Sequence, residues 1–128
     1  MAMEGVIHSH GAIRLTASAE IAANCLACYH TVAGQAAVAG VSASAPVANL
    51  ITYDLVASGA VGDFYPLASG DRVLVKSGGV IAIGALCKGA SSGEVVEEAD
   101  IDTLTAATIG VAITAGAGTS GLFWMQVK

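Results

Sequence analysis

Hydrophobic positions fall in short segments rich in Val, Ile and Thr, separated by clusters of Gly, Ser and Asp. That rhythm is the signature of strands and turns, and it predicts an all-β domain, mainly antiparallel. Predicted strands are Gly5 to His8, Ala12 to Ala17, Cys25 to Tyr29, Ala36 to Val41, Leu50 to Ala57, Asp63 to Leu67, Arg72 to Lys76, Val80 to Ile83, Ala85 to Lys88, Gly93 to Glu97, Thr108 to Ile113 and Gly121 to Val127. Ser69-Gly70-Asp71, Ser77-Gly78-Gly79 and Ser91-Ser92-Gly93 supply positive-φ residues and side-chain acceptors for reversals, with Ser77-Gly78-Gly79 the best hairpin candidate. At most one short helix is expected, near residues 98–107, where Asp100 or Asp102 could cap a turn carrying Ile101, Leu104 and Thr105 on one side.

Shifted by 59 positions, the sequence aligns on itself without a gap: Leu15 meets Leu74, Cys28 meets Cys87, Gly34 meets Gly93, Gly59 meets Gly118 and Phe64 meets Phe123. Gly62-Asp63-Phe64-Tyr65 and Gly121-Leu122-Phe123-Trp124 put paired aromatics after a glycine in both halves. The pattern suits a domain of two related halves, 12–69 and 71–128.

Composition sharpens this picture. The chain has 128 residues, 55% of them hydrophobic and 12% charged, with 16 Gly. So few charges cannot clothe a small domain, so part of its surface is expected to be covered by partners or by copies of itself. The net charge of −5 lacks the positive field that nucleic acid or an anionic membrane surface requires, and no nucleic-acid partner is expected. Thr31 to Tyr53 and Thr103 to Val127 are free of charged residues, yet they consist largely of Ala, Gly, Ser and Thr. Those residues supply little insertion free energy, and no membrane partner is expected. No basic region precedes an apolar stretch at the start of the sequence, so no secretory signal is read there.

Candidate chemistry is sparse. Cys25-Leu26-Ala27-Cys28-Tyr29-His30 offers zinc-ligand types, but a second ligand pair is missing: Cys87 is isolated, and His8 and His10 lie far upstream. Buried apolar thiols are the expected reading. His8-Ser9-His10 could bind a metal or sense pH, though two His in such a segment are expected in solvent or at a contact. Asp54, Asp63 and Asp71 read as turn residues. The run Glu94 to Asp102 holds half of the ten carboxylates and reads as a solvated face. No nucleophile elbow, phosphate loop or zinc-protease motif occurs, so neither catalytic residues, metal nor cofactor are assigned. Phe64, Tyr65, Phe123 and Trp124 are expected in the core or at a subunit interface.

Four phrases, Ser69-Gly70-Asp71-Arg72-Val73, Ile83-Gly84-Ala85-Leu86, Ile109-Gly110-Val111-Ala112 and Gly121-Leu122-Phe123-Trp124-Met125-Gln126-Val127, make the chain resemble the decoration or cement proteins of tailed-bacteriophage capsids. The resemblance implies a compact β-barrel or β-tulip-like domain over residues 15–128, preceded by an extended arm over residues 1–14. It further implies a homotrimer that binds the outer surface of the virion, stabilising the shell by clamping subunits of the major capsid protein. Capsid contacts would then come from the arm, through Ala2, Met3, Glu4, Val6, Ile7, His8, His10, Ile13 and Arg14. Two other classes fit the composition: a lipoyl- or biotinyl-type carrier domain, which needs a modified lysine such as Lys76 or Lys88 at a hairpin tip, and a subunit of a fibre-like surface assembly.

Overall fold

A computed structural model describes residues 6, 8, 10–30, 32–38, 49–90, 93–98 and 108–128. Its strands are β1 (Ile13–Ala17), β2 (Cys25–Tyr29), β3 (Gln35–Val38), β4 (Leu50–Thr52), β5 (Val61–Pro66), β6 (Arg72–Ile81), β7 (Leu86–Gly89), β8 (Val95–Glu97), β9 (Thr108–Ala112) and β10 (Gly116–Val127). They close into two five-stranded barrels, β1-β3-β2-β4-β5 and β6-β8-β7-β9-β10. The protein is therefore all-β, and among the described strand pairs only β1/β3 and β6/β8 run parallel. No α-helix occurs among the described residues, and the expected helix falls almost entirely outside them.

Alternation decides which side chains point inward. In β1, Ile13, Leu15 and Ala17 join the core of the first barrel, while Arg14 points out and lies 3.5 Å from exposed Asp63. In the second barrel Val73, Val75, Phe123 and Met125 are fully buried, each contributing about 1.5–3 kcal/mol by leaving water.

The expected hairpin at Ser77-Gly78-Gly79 is not there: these residues lie inside β6, a single ten-residue strand. The cause is the length of β10, which pairs with β6 from Gly116↔Ile81 to Gln126↔Arg72 across a bulge. Ser77 is buried beneath that bulge, and its hydroxyl is bonded to the carbonyl oxygens of Gly118 and Gly121 (3.1 Å for the latter). Gly78 is small because a Cβ there would stand 3.1 Å from Val96. The reversal comes later, at Ala82 to Ala85, where Gly84 adopts φ +83°.

The two barrels share one pairing plan. Arg14↔Asp63, Leu26↔Ile51, Ile51↔Tyr65, Ala27↔Val38 and Ala17↔Ala36 in the first correspond to Leu74↔Trp124, Leu86↔Val111, Val111↔Gln126, Cys87↔Glu97 and Ser77↔Val95 in the second. Left-handed positions recur as well, with Asn24, Gly34 and Gly59 answering to Gly84, Gly93 and Gly118. On most strands these partners differ from those aligned by a 59-residue shift. Leu15 matches Val75 and Phe64 matches Met125.

The barrels are joined through one core. Leu26, Ile51 and Tyr53 face away from the first barrel, yet they are buried in the hydrophobic cluster built on Val73, Val75, Phe123 and Met125 of the second. The Asn24 carbonyl accepts the Lys76 N–H at 2.9 Å and its side-chain amide donates to the Leu74 carbonyl at 3.0 Å, so the turn before β2 is bonded to β6. Gly93 makes room: a Cβ there would be 2.5 Å from the Leu26 carbonyl oxygen.

Candidate functional site

At this junction sits a cluster of polar and aromatic side chains. Tyr53 follows β4, Tyr65 lies on β5, Asp71 closes the turn entering β6, and His8 reaches in from the segment preceding β1. The His8 ring stacks on Tyr65 with centroids 4.6 Å apart, and Nε2 is hydrogen-bonded to the Tyr53 hydroxyl at 2.5 Å. Among the described residues buried Nδ1 has no hydrogen-bond partner; it lies 3.6 Å from Asp71 Oδ2, within ion-pair range. Burial pushes the imidazole below its ordinary pKa, although the Asp71 carboxylate pulls the other way. Burial also raises the Tyr53 phenol, helped by Tyr65 and Asp71. Asp71, 1% exposed, accepts the Ala68 N–H at 3.1 Å, which fixes the turn that the sequence led one to expect. This arrangement ties the leading segment to both barrels. His8 is thus a packed residue, not a solvated one, because its flat ring covers Tyr65 at a joint that would otherwise admit water.

A second feature lies on the outside of the second barrel. Arg72, Ile113, Thr114 and Trp124 line an open groove of about 280 Å³, almost wholly apolar. Cross-strand pairing sets Leu74 opposite Trp124 and Lys76 opposite Leu122. Ile83 and Leu122 are 70% and 50% exposed, so this barrel carries a large share of the uncovered apolar surface. Such a surface suits contact with another protein better than chemistry.

The remaining expected residues are dispersed. Val6 packs on the shared core, His10 is exposed, and Ile13 and Arg14 are strand residues of β1; Ala2, Met3, Glu4 and Ile7 lie outside the described residues. Phe64 and Phe123 fill the two cores, whereas Tyr65 and Trp124 are half-buried. Cys25, Cys28 and Cys87 are buried, and burial raises all three thiols, Cys87 to about 11. The His30 ring accepts the Val32 N–H at 3.0 Å. No group of three or more metal-ligand side chains occurs among the described residues. Of the acidic run, Glu94 is half-buried, Glu97 is exposed and Glu98 is buried 3.6 Å from Lys88, so it is only partly a solvated face. Neither Lys76 in β6 nor Lys88 in β7 stands at a hairpin tip, which removes the carrier-domain alternative. Among the described residues, no helix is long and apolar enough to cross a membrane.

Sequence reasoning missed the junction. Tyr53 lay inside the expected strand Leu50 to Ala57 and Asp71 belonged to a turn, so nothing local linked them to His8. The one usable signal was Leu26 and Ile51, bulky residues in segments apolar on both faces, as strands buried on both sides are.

No protein-family model matches the chain, and no curated protein matches it. Among solved structures, the N base of the head fibre gp8.5 of bacteriophage phi29 is similar at 18% identity, with a TM-score of 0.70 over 91% of this chain and 92% of that one. At that identity the likeness is one of fold, and it spans both barrels.

Proposed function

We propose that this chain is a structural protein of a phage virion, attached to the outer surface of the head, where it acts without catalysis. The observation that carries this reading is the end-to-end match to the base of a phage head fibre. Two further features support it. The outer wall is rich in exposed Val, Leu and Ile, and the polar groups at the junction are engaged in joining elements.

In this reading the protein binds as a homotrimer across adjoining subunits of the major capsid protein and stabilises the closed shell by its binding free energy. Many modest apolar contacts suffice, consistent with a surface lacking charge. The proposed arm is best confined to the residues before Val6, because Val6, His8, Ile13 and Arg14 are built into the body of the fold. The test is incubation of purified protein with undecorated phage heads, imaged by electron microscopy and followed by a heat challenge. Added density on the outer surface and a higher bursting temperature are expected, with both weakened when residues 2–5 are deleted. Heads that gain neither density nor resistance at saturating protein would refute the proposal.

A further inference from the structure

The two barrels are built alike, yet one particular wall is covered in the first and open to solvent in the second. In the first barrel the outward residues Leu26, Ile51 and Tyr53 are covered by the second. Pairing register assigns their counterparts as Leu86, Val111 and Ile113. These are apolar too, but Leu86 and Val111 are half-buried and Ile113 is 38% exposed, with Ile83 beside them at 70%. A wall with no contact to make would tolerate polar residues at these positions; this one has kept four branched aliphatic side chains.

The receiving side shows the same asymmetry in reverse. Gly93 in the second barrel, at φ +77°, is buried against the Leu26 backbone. Its counterpart Gly34, at φ +80°, is exposed, with no described residue within 4 Å of where a Cβ would stand. Tyr29 and Val32 flank it, 47% and 50% exposed. The molecule thus carries one joint already made and, at opposite barrels, an uncovered apolar wall and an open glycine corner that correspond to its two sides.

We propose that the wall of Ile83, Leu86, Val111 and Ile113 docks a second copy of this chain, at the surface around Gly34, Tyr29 and Val32 of that copy, repeating between molecules the contact that joins the barrels within one. The contact is head-to-tail, so each copy gives one face and receives on the other; it closes into a ring or continues as a filament. This rests on the oligomeric part of the proposed function and names its surface.

The test uses complementation. Ile83→Glu with Ile113→Glu spoils the giving face, and Val32→Glu spoils the receiving face; all three positions are exposed, and circular dichroism with Trp124 fluorescence verifies folding. Light scattering after size exclusion should show the wild type as an oligomer and each variant alone as a 12.6 kDa monomer. An equimolar mixture of the two variants should form a one-to-one dimer, since one intact giving face meets one intact receiving face. Variants that remain oligomeric while folded would overturn the proposed surface but leave the oligomer standing. A mixture that stays monomeric would overturn the head-to-tail geometry. A wild type monomeric at high micromolar concentration would overturn both the surface and self-association, whereas failure to bind heads bears only on the virion role.

Discussion

Replacing Leu26 by Ala tests whether the first barrel completes the core of the second. Leu26 lies on β2, in the first half of the chain, but its fully buried side chain packs with Val73, Val75 and Phe123. Truncation removes transfer free energy and leaves a cavity lined by groups fixed on two closed barrels, which limits collapse, so a cost of about 3–4 kcal/mol is expected. With an unfolding entropy of about 2.1 cal/mol/K per residue, this corresponds to a fall in Tm of about 11–15 °C. The chain has one tryptophan, Trp124, on β10 of the second barrel, so its fluorescence reports the barrel that was not mutated. Urea unfolding followed by that signal, at one fixed protein concentration, should show the loss. Leu55→Ala deletes the same atoms from a side chain 58% exposed and should stay within about 0.5 kcal/mol of wild type. A Trp124 transition that moves by less than about 1 kcal/mol in Leu26→Ala would show that the barrels are separately stable.

Three further outcomes follow from the same geometry. Gly93→Ala should destabilise by more than about 2 kcal/mol and Gly34→Ala by about 1, because both adopt left-handed backbone but only the first meets the Leu26 carbonyl; chemical denaturation compares them. His8 has a folded pKa below its ordinary 6.5, so the fold favours the neutral ring: its contribution is present above pH 6.5 and is lost as pH falls below it. Thermal melts between pH 7.5 and 5.5 should show that loss in wild type and a smaller one in His8→Phe, and an equal slope in both would remove His8 as its source. Finally, Cys25, Cys28 and Cys87 should resist a thiol reagent at pH 8 in the native protein and all react in denaturant, since burial both shields and protonates them; rapid native labelling would contradict their packing.

Much of the fold was legible because short Val- and Ile-rich segments carry their own signal, and the strands from Ile13, Cys25 and Leu50 begin within a residue of where the pattern puts them. Failure came where tertiary pairing overrode local chemistry. Ser77-Gly78-Gly79 has the composition of a turn, but pairing with β10 holds it extended and the buried serine hydroxyl is satisfied across the sheet. The repeat was visible as a 59-residue shift because Gly34/Gly93 and Gly59/Gly118 keep that spacing at left-handed positions, while strand partners slip by one or two residues through bulges and turns that sequence identity does not register. The proposed head-associated role was suggested by phrasing and composition, not by any reactive group. The giving and receiving faces were not legible at all: Leu26 and Leu86 look alike in sequence, and only burial separates them.

Closure of both cylinders has a consequence for a chain so poor in charge. Among the described residues each of the strands β1 to β10 has a bonded neighbour on both sides over at least part of its length, so neither sheet ends in an edge strand left wholly open to a passing chain. Open sheets of this apolar composition would template cross-β stacking wherever copies crowd together. Wrapping each sheet onto itself lets the protein keep its sticky exterior for side-chain contacts while leaving fibrils little open edge on which to start, a safeguard of most value wherever copies reach high local concentration.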